Sequence, residues 1–183
     1  MKLEDILSHI KDQKYPPVHL WNPDYCGDMD MVIKRDGSWH YMGSPIGRAR
    51  MVKLFASILR LDQDDQGNDH YVLVTPVEKI GITVEDVPFV TTEMDIIGHE
   101  GQQVIRFITN VGDQVVVDGD HPIEVIYDAD TEEPRPYVTV RSGLKARINR
   151  QNFYELADHA AERNGAFVIT SMGEDFILGA SDV

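Results

Sequence analysis

The feature that most constrains this chain is an internal echo between two segments 102 residues apart. Residues 46–60 align with residues 148–163, and a run predicted as a hairpin precedes each segment. The aligned pairs are Ile46 with Ile148, Arg48 with Arg150, Met51 with Phe153, and Leu54 with Leu156. The echo predicts that residues 31–82 and 123–178 are two copies of one hairpin–helix–strands arrangement. One alternative stays open, because any two amphipathic helices can align this well.

Hydrophobic periodicity then predicts an α+β fold with two related hairpin–helix–strand halves and mostly antiparallel sheets. The expected halves are residues 1–88 and 89–183. Helices are predicted at residues 2–13, 45–60 and 149–163, the second with Ser44 as its N-cap. Turns are predicted at Asp36-Gly37 and at Gly173.

Composition limits the classes of function. The chain has 183 residues, a formal net charge of −14 and one cysteine, so it has no intrachain disulfide. Its N-terminus lacks the pattern of a signal peptide, and no apolar stretch approaches the roughly 20 residues that span a bilayer. A strongly acidic chain repels phosphate backbones. We therefore expect a cytoplasmic protein with no membrane span and no nucleic-acid partner.

Positive charge is concentrated in two windows that contain no acidic residue. Residues 37–61 and 134–154 hold 9 of the 17 lysines and arginines, and each window contains an echoed strand-to-helix junction. Arg48 and Arg150 are expected in the first turns of their helices, where backbone N–H groups and arginine forks suit an anion. The competing interpretation is that these arginines pair with acidic surface residues.

Catalytic and metal motifs are not recognisable. Cys26 lies among acidic residues, which disfavour a thiolate, and the carboxylates around it do not follow the calcium-loop spacing. The seven histidines lack the spacing of zinc ligands. We predict no catalytic residue, no metal and no cofactor, although a hydrolase with weak candidates Glu78, Asp86 and His121 stays open as an alternative.

Several long motifs resemble the bacterial domain-of-unknown-function family 1285. They are WNPDYCGDMDM (21–31), SPIGRARMVKLF (44–55), VTPVEKIGITVEDVPFV (74–90), TNVGD (109–113) and PRPYVTVRSGLKARINRQNFYEL (134–156). The resemblance implies a duplicated α+β core whose second half is similar to a pleckstrin-homology barrel. It also implies a site for a nucleotide-like ligand at the interface of the halves, a role in signalling, and no assigned reaction.

The sequence therefore predicts a ligand-binding or sensing protein that holds an anionic, nucleotide-like small molecule between its halves. A hydrolase-type enzyme and a protein-interaction module remain the alternatives, and a protein partner is compatible with each. The expected charge contacts are Arg48, Arg141, Arg150 and Arg135. The expected apolar or orienting residues are Trp21, Trp39, Tyr137, Glu78 and Lys79.

Overall fold

The computed structural model describes residues 8, 14–99 and 101–181, which fall into two compact units. The N-terminal unit contains residues 14–88 and 142–144, and the C-terminal unit contains residues 8, 89–99, 101–141 and 145–181. The helix predicted at residues 2–13 lies, except for Ser8, outside the described residues.

The N-terminal unit is a six-stranded mixed sheet and one helix. Its strand order is β3-β2-β1-β6-β5-β4, in which β1 and β6 are parallel and the other neighbours are antiparallel. The elements are β1 (Tyr25–Ile33), β2 (Trp39–Tyr41), β3 (Ser44–Pro45), α1 (Ala49–Ser57), β4 (Leu59–Gln63), β5 (Asp69–Val74) and β6 (Lys79–Val84). A single 3-10 turn, Val18–Leu20, precedes them.

The C-terminal unit combines a six-stranded mixed sheet, one helix and a three-stranded sheet. The larger sheet has the order β10-β11-β12-β7-β8-β9, with β12 and β7 parallel, and the smaller has the order β13-β14-β15. The elements are β7 (Phe89–His99), β8 (Gln102–Thr109), β9 (Gln114–Val116), β10 (Ile123–Tyr127), β11 (Pro134–Arg141), β12 (Leu144–Arg147), α2 (Arg150–Asp158), β13 (Ala161–Arg163), β14 (Ala166–Ser171) and β15 (Glu174–Ala180).

Two similar halves are confirmed by the order of elements. Three strands, a helix and three strands follow one another as β1–β3, α1 and β4–β6, and again as β10–β12, α2 and β13–β15. The strand β6 pairs with β1, and the equivalent strand β15 meets β10 where the Tyr127 hydroxyl donates to the Leu178 carbonyl at 3.2 Å. The helices begin 101 residues apart, so the alignment at 102 is one residue out of register. The likeness to a pleckstrin-homology barrel stays a prediction.

Both helices are shorter than predicted, because residues that flank them form backbone hydrogen bonds with neighbouring strands. Ser44–Pro45 pairs with β2, and the Ile46 amide donates to the Trp39 carbonyl at 2.8 Å, so a helix cannot begin at Pro45. Arg48 is extended and α1 begins after it. At the other helix, residues 161–163 pair with β14 and α2 ends at Asp158.

Each unit has its own apolar core. In the N-terminal unit the buried Trp39 ring stacks on Phe55 of α1, with 6.2 Å between ring centroids. In the C-terminal unit Leu156 of α2 is fully buried, as are Phe107 and Ile105 of β8. Burying a side chain of this size stabilises the fold by about 1.5–3 kcal/mol, so these residues anchor the helices and keep their first turns in place.

Arg60 fixes the segment that leads into the N-terminal sheet. Its guanidinium donates two hydrogen bonds to the Asp62 carboxylate, from Nε at 2.5 Å and from Nη2 at 2.7 Å. Its Nη1 donates to the carbonyls of Val18 and Trp21, each at 2.7 Å. One side chain therefore satisfies a carboxylate and two backbone carbonyls, and it attaches the 3-10 turn to β4.

A polar cluster covers Gly81 at the parallel junction of β1 and β6. The Tyr25 hydroxyl donates to Asp28 Oδ1 at 2.6 Å, and His70 Nε2 lies 3.6 Å from the same oxygen. The hydrogen bond to the Asp28 carboxylate raises the pKa of the Tyr25 hydroxyl. A Cβ at Gly81 would overlap Asp28 and would lie 2.7 Å from His70 Nε2 and 2.8 Å from the Tyr25 hydroxyl. The cluster can therefore keep this arrangement only with glycine at position 81, and a larger residue would displace the Asp28 carboxylate.

We expect Arg60→Ala to lower the free energy of unfolding by about 2–3 kcal/mol, since charge-assisted hydrogen bonds to the Asp62 carboxylate and to two partly buried backbone carbonyls are lost. Urea unfolding monitored by circular dichroism measures the change. The control is Arg35→Ala, which removes an exposed arginine and should change the free energy by less than about 0.5 kcal/mol. Equal loss in the two variants would contradict the role of Arg60.

Acid should weaken the same attachment. The Arg60 guanidinium lowers the pKa of the Asp62 carboxyl, so the ion pair stabilises the folded state above the unfolded-state pKa of about 3.9. That contribution is lost as the pH falls through the lower folded-state pKa. Asp62→Asn should remove this part of the acid sensitivity in unfolding curves measured from pH 6 downwards, and an unchanged pH dependence would contradict the assignment.

We expect Gly81→Ala to destabilise the protein by about 0.5–1 kcal/mol, because the new methyl group displaces the exposed Asp28 carboxylate and breaks its hydrogen bond with Tyr25. Gly98→Ala is the matched control, since Gly98 also lies in a strand and a Cβ there meets nothing within 4 Å. Thermal unfolding of both variants compares them, and similar melting temperatures would show that the cluster tolerates a side chain.

Candidate functional site

A cavity with two arginines in its lining lies at the start of α2 in the C-terminal unit. It has a volume of about 300 Å³ and is built from β11, the end of β12 and the first turns of α2. The lining residues are Glu133, Pro134, Pro136, Arg147, Ile148, Asn149, Arg150, Phe153 and Tyr154. The lining contains two arginines and one carboxylate, so its basic residues outnumber its acidic one.

A buried hydrogen-bond network fixes the start of α2. Asn149 is the N-cap, and its Oδ1 accepts from the Asn152 amide at 2.8 Å. Its Nδ2 donates to the Thr91 carbonyl at 2.8 Å and to Asn152 Oδ1 at 2.9 Å. The Thr91 hydroxyl also donates to Asn152 Oδ1, at 2.9 Å. Because β7 holds Thr91, this network holds the first turn of the helix in a fixed position against the sheet.

The capping leaves two donors at the end of the helix that faces the cavity. The Asn149 side chain takes the amide of Asn152, whereas the amides of Arg150 and Gln151 have no hydrogen-bond acceptor within the described residues. First-turn amides and the helix dipole together favour negative charge. A phosphate or carboxylate at this position would meet backbone donors as well as arginine.

Side chains around these amides suit a ligand that is both anionic and aromatic. Arg150 is exposed and forms no ion pair with any described residue. Tyr154 is 59% exposed and Phe153 is half-buried, so aromatic surface lies beside the positive charge. Arginine provides a planar fork for oxyanions, and aromatic rings provide faces on which a flat ligand can stack.

Two of the predicted charge contacts in the C-terminal unit are engaged in internal ion pairs. Arg135 pairs with Asp128, and Arg141 pairs with Asp113. The Arg141 guanidinium also lies over the Phe89 ring, 4.9 Å from its centroid. Tyr137, predicted to cover a ligand, is buried in the core at 5% exposure. Of the predicted residues in this unit, Arg150 alone lines the cavity described above.

The charged residues predicted in the N-terminal unit lie at separate places in that unit. Arg48 is the N-cap of α1, outside the first turn where it was expected, and its side chain makes no capping bond. Lys79 Nζ lies 3.5 Å from Asp62, and Glu78 is exposed in the turn before β6.

The two tryptophans predicted as ligand contacts in the N-terminal unit pack within that unit. Trp39 is buried, and its indole Nε1 has no hydrogen-bond partner within the described part of the chain. Trp21 is partly buried, and its carbonyl accepts from Arg60. Neither ring lines the cavity at the start of α2.

Sequence reasoning did not select Arg147, Asn149 or Phe153 as site residues. The acid-free window 134–154 contains all three, and asparagine is a favoured N-cap. Composition and capping preference could therefore have placed them at the site, whereas only coordinates show that β11 completes its wall.

The described residues contain neither a metal-binding cluster nor a membrane-spanning helix. No group of three or more His, Cys, Asp or Glu side chains there is placed to hold a metal ion. No helix in that part of the chain is long and apolar enough to cross a membrane. Cys26 is a free, exposed thiol whose Sγ lies 3.5 Å from the Asp24 carbonyl.

Comparisons with known proteins cover nearly the whole chain. The N-terminal domain of DUF1285, described as a domain of unknown function, matches residues 16–87, and the DUF1285 C-terminal domain matches residues 88–178. A search of curated proteins gave no match. The chain is similar to a crystal structure of a DUF1285 family protein from Silicibacter pomeroyi DSS-3, with 45% identity, a TM-score of 0.83, and coverage of 96% of this chain and 94% of that one.

A second solved structure, a DUF1285 family protein from Shewanella baltica OS155, shares 26% identity with a TM-score of 0.53. It covers 71% of this chain and 91% of its own. Both family domains match in the expected order, and both similar structures come from the same family. The chain therefore belongs to the DUF1285 family.

Proposed function

We propose that this protein is a ligand-binding or sensing protein that takes an anionic, nucleotide-like small molecule in the cavity at the start of α2. The observation that carries the proposal is that Arg147, Arg150 and the Tyr154 ring line one cavity at a helix start where the Arg150 amide has no acceptor within the described residues. Each type of donor recognises oxyanions by a different geometry, and the aromatic ring adds affinity for a flat group.

Electrostatics favour a compact anion here over a neutral ligand. A charge-assisted hydrogen bond contributes about 1.5–3 kcal/mol, roughly twice a neutral one. The protein as a whole carries a net charge of −14, which repels anions at long range, but this repulsion is screened over roughly 8 Å at physiological salt. Local contacts with Arg150 and the helix amides therefore decide binding.

The volume of the cavity limits the size of the ligand that it can enclose. Ligand pockets have volumes of about 300–1,000 Å³, and this cavity, at about 300 Å³, lies at the small end. It suits a phosphate or carboxylate group at the helix start and one ring against Tyr154, with the rest of a larger ligand in solvent. Nucleoside phosphates and aromatic acids have this combination of groups.

A hydrolase that uses the same cavity is the weaker alternative. Such an enzyme needs a nucleophile or a general base within hydrogen-bond reach of its substrate. Glu133 is the single carboxylate among the residues that line the cavity, and no histidine, cysteine or serine lines it. The lining is therefore better suited to holding an anion than to converting one, which favours a role in sensing or signalling.

A thermal-shift screen with nucleoside mono- and diphosphates, sugar phosphates and dicarboxylates tests the proposal. A ligand that binds only the folded state raises the melting temperature. We expect the largest shifts with nucleotides, and we expect Arg150→Ala to weaken their binding tenfold or more, about 1.4 kcal/mol, in calorimetric titrations.

The matched control is Arg35→Ala, which removes the same charge from the turn after β1 and should leave binding within about twofold. Equal weakening by both variants would mean that net charge alone attracts the anion. The absence of any shift at millimolar nucleotide would contradict the proposed function.

A further inference from the structure

Three cations without an acidic partner lie together at the start and on the outer side of α1, whereas Lys14, Arg35 and Arg150, which also form no ion pair with a described residue, lie apart in the sequence. Arg48, Arg50 and Lys53 are exposed and make no ion pair or side-chain hydrogen bond with any described residue. Most other lysines and arginines in the described residues pair with acids. These pairs are Lys34–Glu85, Arg60–Asp62, Lys79–Asp62, Arg106–Asp95, Arg135–Asp128, Arg141–Asp113, Lys145–Glu124 and Arg163–Asp175.

Three unpaired cations at one short helix are unexpected in a chain with 31 acidic and 17 basic residues. Acids are numerous enough to pair with every lysine and arginine, yet none lies in residues 37–61 or in the first turn of α1. Positive charge near a helix N-terminus also opposes the helix dipole. The arrangement therefore does not stabilise the isolated fold, and a binding role explains it better.

Apolar side chains lie among these cations. Met51 is 39% exposed and Leu54 is 61% exposed, although α1 already buries a separate inner side through Val52, Phe55 and Ala56. Residues three and four apart are neighbours on a helix surface, so Leu54 lies beside both Met51 and Arg50. Met42, in the turn before β3, is 69% exposed. We call Arg50, Met51, Lys53 and Leu54 the outer face of α1.

We propose that the outer face of α1 is a docking surface for an acidic, amphipathic segment of a partner protein. Carboxylates of that segment would pair with Arg50 and Lys53, and its apolar side chains would cover Met51 and Leu54. The nine residues of α1 span about 13 Å, which matches two to three turns of a partner helix. This surface shares no residue with the cavity at the start of α2, so it adds a second interaction to the proposed function.

A protein segment fits this face better than an anionic bilayer does. Each basic residue near an anionic membrane contributes about 1 kcal/mol, and three of them act against the repulsion from a net charge of −14. A short peptide meets only the local field within a Debye length of roughly 8 Å. Its leucines can also reach Met51 and Leu54 without the rest of the acidic protein approaching a charged surface.

The test is fluorescence anisotropy with the full chain and a labelled 16-residue amphipathic peptide that carries Glu at exposed positions and Leu at i, i+3 and i+4. We expect saturable binding in the micromolar range. The double variant Arg50→Ala/Lys53→Ala should weaken it tenfold or more, and Leu54→Ser should weaken it at least threefold. A peptide with Lys in place of each Glu should not bind.

The matched control is Lys14→Ala/Arg35→Ala, which removes two exposed cations elsewhere in the N-terminal unit and should leave binding within twofold. All the substituted side chains are largely exposed, so melting temperatures should stay within a few degrees, and the charge variants test the surface even if Leu54→Ser unfolds.

Three outcomes would overturn the proposal. The first is no saturable binding at 1 mM protein, and the second is equal weakening by the control pair. The third is that the same α1 variants instead abolish binding to phosphatidylserine vesicles or a concentration-dependent dimer, which would assign the face to lipid or to a second copy of this chain.

Discussion

The pairing of arginines with a surplus of carboxylates organises this structure. Arg106 and Arg141 are largely buried side chains, and a buried guanidinium without an anion would cost several kcal/mol. Each is matched by an aspartate on a neighbouring strand or loop, Asp95 and Asp113 respectively. Arg60 joins the leading segment of the N-terminal unit to β4 through hydrogen bonds to two carbonyls of that segment. The fold therefore uses many of its cations to join neighbouring strands and segments. The cations that have no acidic partner are candidates for binding other molecules.

The two similar halves use equivalent helix starts in different ways. At α2, the Asn149 cap and the Thr91–Asn152 hydrogen bonds hold the first turn rigidly, with Arg150 beside a cavity. At α1, Arg48 occupies the N-cap without a capping bond, and the helix presents cations and apolar side chains to solvent. The two proposals rest on this difference, a small anion at the start of α2 and a larger partner on the outer face of α1.

Short-range chemistry made part of this structure predictable from the sequence. Asp36-Gly37 and Gly173 form the expected turns because a left-handed glycine is needed there, and two amphipathic helices form where their periodicity predicts them. The predicted helix ends are wrong because Ser44–Pro45 and residues 161–163 pair with neighbouring strands. This pairing depends on tertiary structure, which local helix propensity does not describe.

The candidate site was only partly predictable for the same reason. The acid-free window 134–154 contains Arg147 and Arg150, which line the cavity, but composition could not show which of its cations are already paired. Arg141 and Asp113 are 28 residues apart in sequence, and Lys34 and Glu85 are 51 apart. Such partners are set by the sheet order, so Arg141 was selected for a ligand although Asp113 holds it, and Arg150 was selected for a helix start that does face a cavity.

The central claim, that the start of α2 binds an anion through its free amides and Arg150, is tested most directly by a nuclear magnetic resonance titration. Amide spectra of the ¹⁵N-labelled chain would be recorded with increasing ADP and, separately, with adenosine. We expect saturable shifts at the amides of Arg150 and Gln151 with ADP and much smaller shifts with adenosine, because the phosphates make the contacts. Saturable shifts confined to other parts of the chain, or no shifts at millimolar ADP, would contradict the account.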